Sequence, residues 1–242
     1  MRYLSVLTLA VLAVSLPAVP VRAANQLPRH LVYSVSIRAE QNVEIKTDNM
    51  GTSGGTSQTV GAAKTETGTI SADVLKVVTG ADGGGIVVAV KEDVRERSAP
   101  LVDTVVLGNG AITYDPKSNV TPEEQQLLRM LTPGLVNAAN LDAGHWSVQT
   151  PVGNGTLQTT YLVNGTDNDG RVKLETTADL KATGGFGFSL NAHGNALYNA
   201  RLLVPVSLSS TSKLREENGA QYKVTDLNVD MSLLSDSFAP KT

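Results

Sequence analysis

A two-residue hydrophobic period runs through this chain almost from end to end, and it leaves room for little besides antiparallel strands. Leu31, Tyr33, Val35 and Ile37 alternate with His30, Val32, Ser34 and Ser36, and Val43 with Ile45 extends the run. Successive side chains of a strand point to opposite faces, so such a pattern buries one face and wets the other. Ile70, Ala72 and Val74 alternate again before Lys76-Val77-Val78; Ala81-Asp82-Gly83-Gly84-Gly85 reads as a turn, and Ile86, Val88 and Val90 as the returning strand. Val102 to Leu107 and Ala111 to Tyr114 flank Gly108-Asn109-Gly110, a hairpin whose positive-φ positions suit Gly and Asn. The pattern resumes over 145–150, 157–163, 171–180, 184–199, 201–214 and 221–234. About ten strands at hairpin spacing predict a mainly β fold: a strongly curved antiparallel sheet, a half-barrel or open barrel.

One helix interrupts the strands. Thr121-Pro122-Glu123-Glu124 supplies a capping hydroxyl, a proline at the first helical position and a Glu three residues after the cap. Both acids also complement the positive end of the helix dipole. Leu127, Leu128 and Met130-Leu131 give one apolar face, and Thr132-Pro133-Gly134 stops the helix, with a short second turn over Leu135 to Asn140. The helix, about 121–131, is expected to cover one mouth or face of the sheet. Its Leu127, Leu128 and Leu131, with Trp146, are ordinary core candidates; their alternative role is to line an apolar cavity.

The N-terminus carries an address. Arg2 precedes an apolar run from Leu4 to Leu16; Pro17 and Pro20 then break any helix, and Val21-Arg22-Ala23 offers the small or branched residues a signal peptidase reads. A run this short falls below the roughly 20 residues a membrane-crossing helix needs. Residues 1–23 are therefore expected to be a cleaved secretory signal, with the cut between Ala23 and Ala24, and 24–242 a single β-rich domain. Within it, 47–63 is almost free of apolar residues and reads as a flexible Gly/Ser/Thr loop, and 236–242 as a loose tail. The chain has no cysteine, so neither an acylated lipoprotein N-terminus nor a disulfide framework is available, and stability must come from the core. These features together favour a bacterial periplasmic or extracellular location.

Charge and motifs narrow the function mostly by exclusion. Losing Arg2 and Arg22 takes 20 basic residues to 18 against 23 acidic ones, a net charge of −5 with no basic block. That argues against nucleic acid or an anionic membrane surface as partner. Aromatic residues are 4% of the chain, too few for the two girdles of a membrane β-barrel, and Pro240 would spoil a closing strand; no integral membrane protein is expected. His30, His145 and His193 stand apart, without metal-ligand spacing, so no metal or cofactor is expected. Gly-x-Ser-x-Gly is absent, and Ser210-x-x-Lys213 lies in a Ser/Thr-rich strand without its usual partner motifs. Asp167-Asn168-Asp169-Gly170 has part of a calcium-loop pattern, but Gly165 and Thr176 stand where acids belong, so a hairpin turn is the expected reading.

The strand meander, the Thr121–Leu131 helix, Gly144-His145-Trp146 leading into a strand, and the closing run from Gly194-Asn195-Ala196-Leu197-Tyr198 to Leu234 have the order of parts found in periplasmic half-barrel proteins. Over most of residues 28–236 the chain resembles those of the lipoprotein-carrier type and related exported families. The resemblance implies a concave apolar face that shelters an acyl chain or similar ligand, and assigns no functional residue. Three functions remain open. One is an exported, non-catalytic cell-envelope protein with a structural or interaction role, using the 47–63 loop and strand edges to touch another envelope protein. The second is a periplasmic carrier holding a lipid-like ligand, and the third an enzyme of unrecognised type.

Overall fold

The computed structural model describes residues 27–45, 57–59, 63–79, 84–94, 101–115, 117–118, 120–152, 155–182, 188–218 and 221–239. The proposed signal, with Ala23 and Ala24, lies outside them. The strands are β1 (Arg29–Ile45), β2 (Ser57–Thr59), β3 (Lys64–Val78), β4 (Gly85–Glu92), β5 (Leu101–Leu107) and β6 (Ile112–Thr113). Two helices follow, α1 (Pro122–Met130) and α2 (Ala138–Ala143), then β7 (His145–Val152), β8 (Gly155–Thr166), β9 (Val172–Ala182), β10 (Phe188–Asn199), β11 (Val204–Asn218) and β12 (Gln221–Asp236).

All ladders belong to one antiparallel sheet of spatial order β6-β5-β4-β3-β1-β12-β11-β10-β9-β8-β7, with β2 paired to β1 beside this path. The chain therefore starts at the centre, meanders out to one edge, crosses through the helices, and meanders back from the other edge until β12 pairs with β1. The mainly β, curved and unclosed sheet matches the expectation from sequence, with more strands and a second short helix. Among the described residues no ladder joins β6 to β7, yet the edges meet. A Cβ placed on Gly110, in the β5–β6 turn, would come within 2.9 Å of Val148 Cγ1 on β7.

Within the segment read as a loop, Ser57–Thr59 pairs with Asn42, Val43 and Glu44; the rest of 47–62 lies outside the described residues. The start of the expected tail is tied down, since Ser237 N donates to the His30 carbonyl at 3.0 Å and Phe238 N to Asp236 Oδ1 at 2.9 Å. Asp167–Gly170 is a turn, as the sequence suggests. Asp167 Oδ1 accepts from Arg171 N at 2.9 Å, its Oδ2 from Arg171 Nε at 2.7 Å, and Asp169 Oδ2 from Arg171 Nη2 at 2.6 Å. Both carboxylates serve one arginine.

The core fills most of the concave side. Leu31, Tyr33, Val35 and Ile37 of β1 join Ile70 and Ala72 of β3, Val88 and Val90 of β4, Tyr198 of β10, and Val229 and Met231 of β12. Leu127, Leu128, Met130 and Leu131 of α1 and the segment after it close this cluster from above. Apolar burial at this scale, at roughly 25 cal/mol per Å², is the main term holding a cysteine-free domain together. The convex side carries the polar half of the alternation: Thr160, Thr177, His193, Thr211, Asn228 and Arg38 are register neighbours across six strands.

Candidate functional site

The concave face changes character where it passes under α1. Strand register places inner-face residues in rows across the sheet. One row reads Tyr161, Thr176, Gly194, Ser210 and the next Thr159, Ala178, Ala192, Ser212, from β8 to β11. Flanking rows are apolar: Leu174, Ala196, Leu208 and Met231 on one side, Leu157, Leu180, Leu190 and Leu214 on the other. Small side chains between two apolar rows leave space, and close packing makes such a gap costly unless something occupies it.

That space is a cleft of about 90 Å³, open to solvent on one side. Thr159, Tyr161, Thr176, Ala178, Ala192, Ser210 and Ser212 floor it, Leu190, His193 and Leu208 stand at its sides, and Pro122, Gln125, Gln126, Arg129 and Met130 of α1 roof it. Hydrogen bonds fix the roof. Thr121 Oγ1 accepts from Glu124 N at 3.1 Å while Glu124 Oε2 accepts from Thr121 N at 2.8 Å, a reciprocal cap. The same Thr121 hydroxyl donates to Glu92 Oε2 on β4 at 3.1 Å, and Ser210 Oγ on β11 donates to Gln126 Oε1 at 2.8 Å. The helix thus spans the interior from β4 past β11 to Tyr161 on β8.

Its far end carries a cation. Arg129 Nη2 donates to Gln125 Oε1 at 3.0 Å, and its Nε is sealed from solvent without a hydrogen-bond partner among the described residues. Burial pulls the guanidinium below the ordinary arginine value, partly offset by the neighbouring phenols of Tyr161 and Tyr114. Burial in turn pushes the Tyr161 hydroxyl up to about 12, against the opposing pull of Arg129, so the phenol keeps its proton at neutral pH, and a guanidinium stays charged in proteins.

The residues proposed from sequence as cavity lining lie elsewhere. Leu127, Leu128 and Leu131 are 1%, 0% and 5% exposed within the main core, on the side of α1 turned away from the cleft. A helix buried on two sides has two inward faces, and apolar patterning identifies only the one that meets the core. Trp146 is half-buried and stacks on Tyr161 with ring centroids 5.2 Å apart, behind the cleft wall rather than on it. Ser210 and Lys213 are separated by strand alternation: the serine faces the cleft, whereas Lys213 Nζ pairs with Glu44 on the outer side at 3.3 Å. Glu123 and Glu124 are buried at the start of α1 but do not line the cleft. Sequence reasoning missed Arg129, Gln125, Gln126 and the small row residues; the available signal was a Ser, Thr, Ala and Gly set at inward positions of consecutive strands.

His145 is exposed, and no group of three His, Asp or Glu residues is placed to hold a metal among the described residues. No helix among them is long and apolar enough to cross a membrane. No protein-family model and no curated protein matches this sequence. The resemblance to half-barrel carriers therefore stands on the order of parts alone. Among solved structures the chain is similar to lipovitellin, described as "lipid-protein interactions in lipovitellin", with a TM-score of 0.39 and 10% identity over 90% of this chain and 26% of that one. The chain thus spans about a quarter of the length of that protein.

Proposed function

We propose that this is an exported, non-catalytic binding protein of the bacterial envelope whose ligand enters the cleft beneath α1. The observation that carries the reading is the pair of small-residue rows, Thr176-Gly194-Ser210 and Ala178-Ala192-Ser212, set between rows of leucine and methionine and roofed by the helix. A sheet built only for stability would carry leucine or valine there, as its neighbouring rows do. Binding sites of this kind are concave and mostly apolar with a few convergent polar groups, and Gln125, Gln126, Ser210 and Arg129 supply those groups. The enclosed volume is modest: an engineered cavity of about 150 Å³ takes one benzene. A single alkyl chain that continues out through the mouth fits this space, and a lipid with several chains does not. The envelope-contact role expected from sequence uses the 47–63 loop, most of which lies outside the described residues, and strand edges that carry no ligand-shaped feature of their own, so the cleft is the stronger basis.

Native mass spectrometry of the protein purified without detergent tests the reading. The expected spectrum contains a second species heavier by the mass of one small amphiphile, which organic extraction removes. A single apo species, unchanged after incubation with decanol, would overturn it.

A further inference from the structure

We infer that Arg129 is the headgroup-binding residue of this cleft and that its ligand is a single-chain amphiphile ending in a carboxylate. The inference deepens the binding reading above and rests on it. A guanidinium offers five donors in a planar fork matched to a carboxylate. Here one of them goes to Gln125 Oε1 at 3.0 Å, which holds the plane in place, while Nε has no hydrogen-bond partner among the described residues. Among the described residues the side chains acting electrostatically on Arg129 are those of Tyr161 and Tyr114, with no carboxylate among them. Buried charges are ordinarily paired, because desolvating an ion without a counter-charge is costly. A cation in this state at the wall of an apolar cleft is complementary to an anion that arrives with an apolar tail.

The chemistry of the lining sets the class of headgroup. Among the described residues no Lys and no second Arg lines the cleft, and His193 is the other basic residue there, so Arg129 supplies its one permanent positive charge, the match for a monoanion. Tyr161, kept protonated by burial, adds a neutral donor beside it. The alkyl chain then lies over Ala178 and Ala192 toward Leu190, where the floor is apolar and shallow. Arg129 also sits in the last turn of α1, where a cation complements the helix dipole. That role alone makes no distinction between ligand headgroups.

Displacement of the neutral fluorophore N-phenyl-1-naphthylamine from the full mature protein separates the possibilities. Decanoate, decanol and decylammonium share one tail and differ in head charge. Decanoate is expected to displace the fluorophore at about tenfold lower concentration than decanol, the size expected for a charged hydrogen bond, with decylammonium weakest. Arg129→Gln is expected to abolish that order, and Arg129→Lys to keep a reduced decanoate preference. Equal displacement by all three in the wild-type protein, or a decanoate preference that survives Arg129→Gln, would overturn the inference while leaving a binding cleft. A protein that never enhances the fluorophore would remove the cleft reading and this inference together. Should Arg129→Gln fail to fold, the wild-type series and Arg129→Lys decide the matter.

Discussion

Arg29 and Asp236, 207 residues apart, clasp the two strands at which the chain begins and ends its sheet. Arg29 Nε donates to Asp236 Oδ1 at 2.9 Å and Nη2 to Oδ2 at 2.5 Å, while Nη1 reaches the Leu202 carbonyl in the β10–β11 turn at 2.6 Å. The side chains are 11% and 1% exposed, and Phe238 lies across the guanidinium with its ring centre 5.0 Å away. Removing one partner strands the other charge in a desolvated place. Asp236→Ala is expected to lower the unfolding free energy by about 3 kcal/mol, measured by urea denaturation. A change below about 1 kcal/mol would mean that the pair behaves as a surface contact.

Where the sheet's outer edges meet, Gly110 has φ +80° and no room for a side chain, since an added Cβ would lie 2.9 Å from Val148 Cγ1. Gly110→Val therefore combines left-handed backbone strain with a clash against β7. It should destabilise the fold by about 1–3 kcal/mol. Equilibrium denaturation with wild-type stability would show that the two edges are not held together at this point.

High pH should unfold this protein through its tyrosines. Burial raises the hydroxyl pKa of Tyr33 and Tyr198 well above the ordinary range and that of Tyr161 to about 12. Unfolded phenols ionise near ~10, so above that pH the unfolded chain binds fewer protons than the folded one. Stability is intact below about pH 10 and falls as pH rises toward the folded values. Tyrosinate absorbance and far-ultraviolet circular dichroism should therefore change together in one cooperative step. Smooth ionisation of every tyrosine near pH 10 with the β signal intact would contradict this.

The roof of the cleft hangs on Thr121. Its hydroxyl caps α1 and also reaches Glu92 of β4 at 3.1 Å. Thr121→Ala should cost about 1–2 kcal/mol, whereas Thr121→Ser, which keeps the oxygen, should stay close to wild type. Thermal melts of the two variants check this, and equal losses would assign the effect to the methyl group instead.

Local chemistry in the sequence was enough to place the α1 start, the Gly108-Asn109-Gly110 hairpin and the Asp167–Gly170 turn, because capping and turn preferences act over a few residues. The pairing of Ser57–Thr59 with Asn42–Glu44 was not legible, since a strand of three polar residues has no period of its own. Nor was the return of β12 to β1, which depends on where the whole meander ends. The cleft escaped for a related reason. Thr176, Ala178, Ala192, Gly194, Ser210 and Ser212 are individually neutral, and only register shows that they lie side by side. Leu127, Leu128 and Leu131 stand out in the sequence because they are apolar, and that is why they belong to the core.

Filling the cleft tests the account most directly. Ala192 faces it and Asn191 is exposed on the opposite side of the same strand, so Ala192→Phe and Asn191→Tyr add similar bulk to the two faces. Titration of each variant with N-phenyl-1-naphthylamine should show binding lost at least about tenfold in Ala192→Phe, with Asn191→Tyr unchanged and both proteins folded. Equal binding by wild-type protein and Ala192→Phe would contradict a ligand site beneath α1.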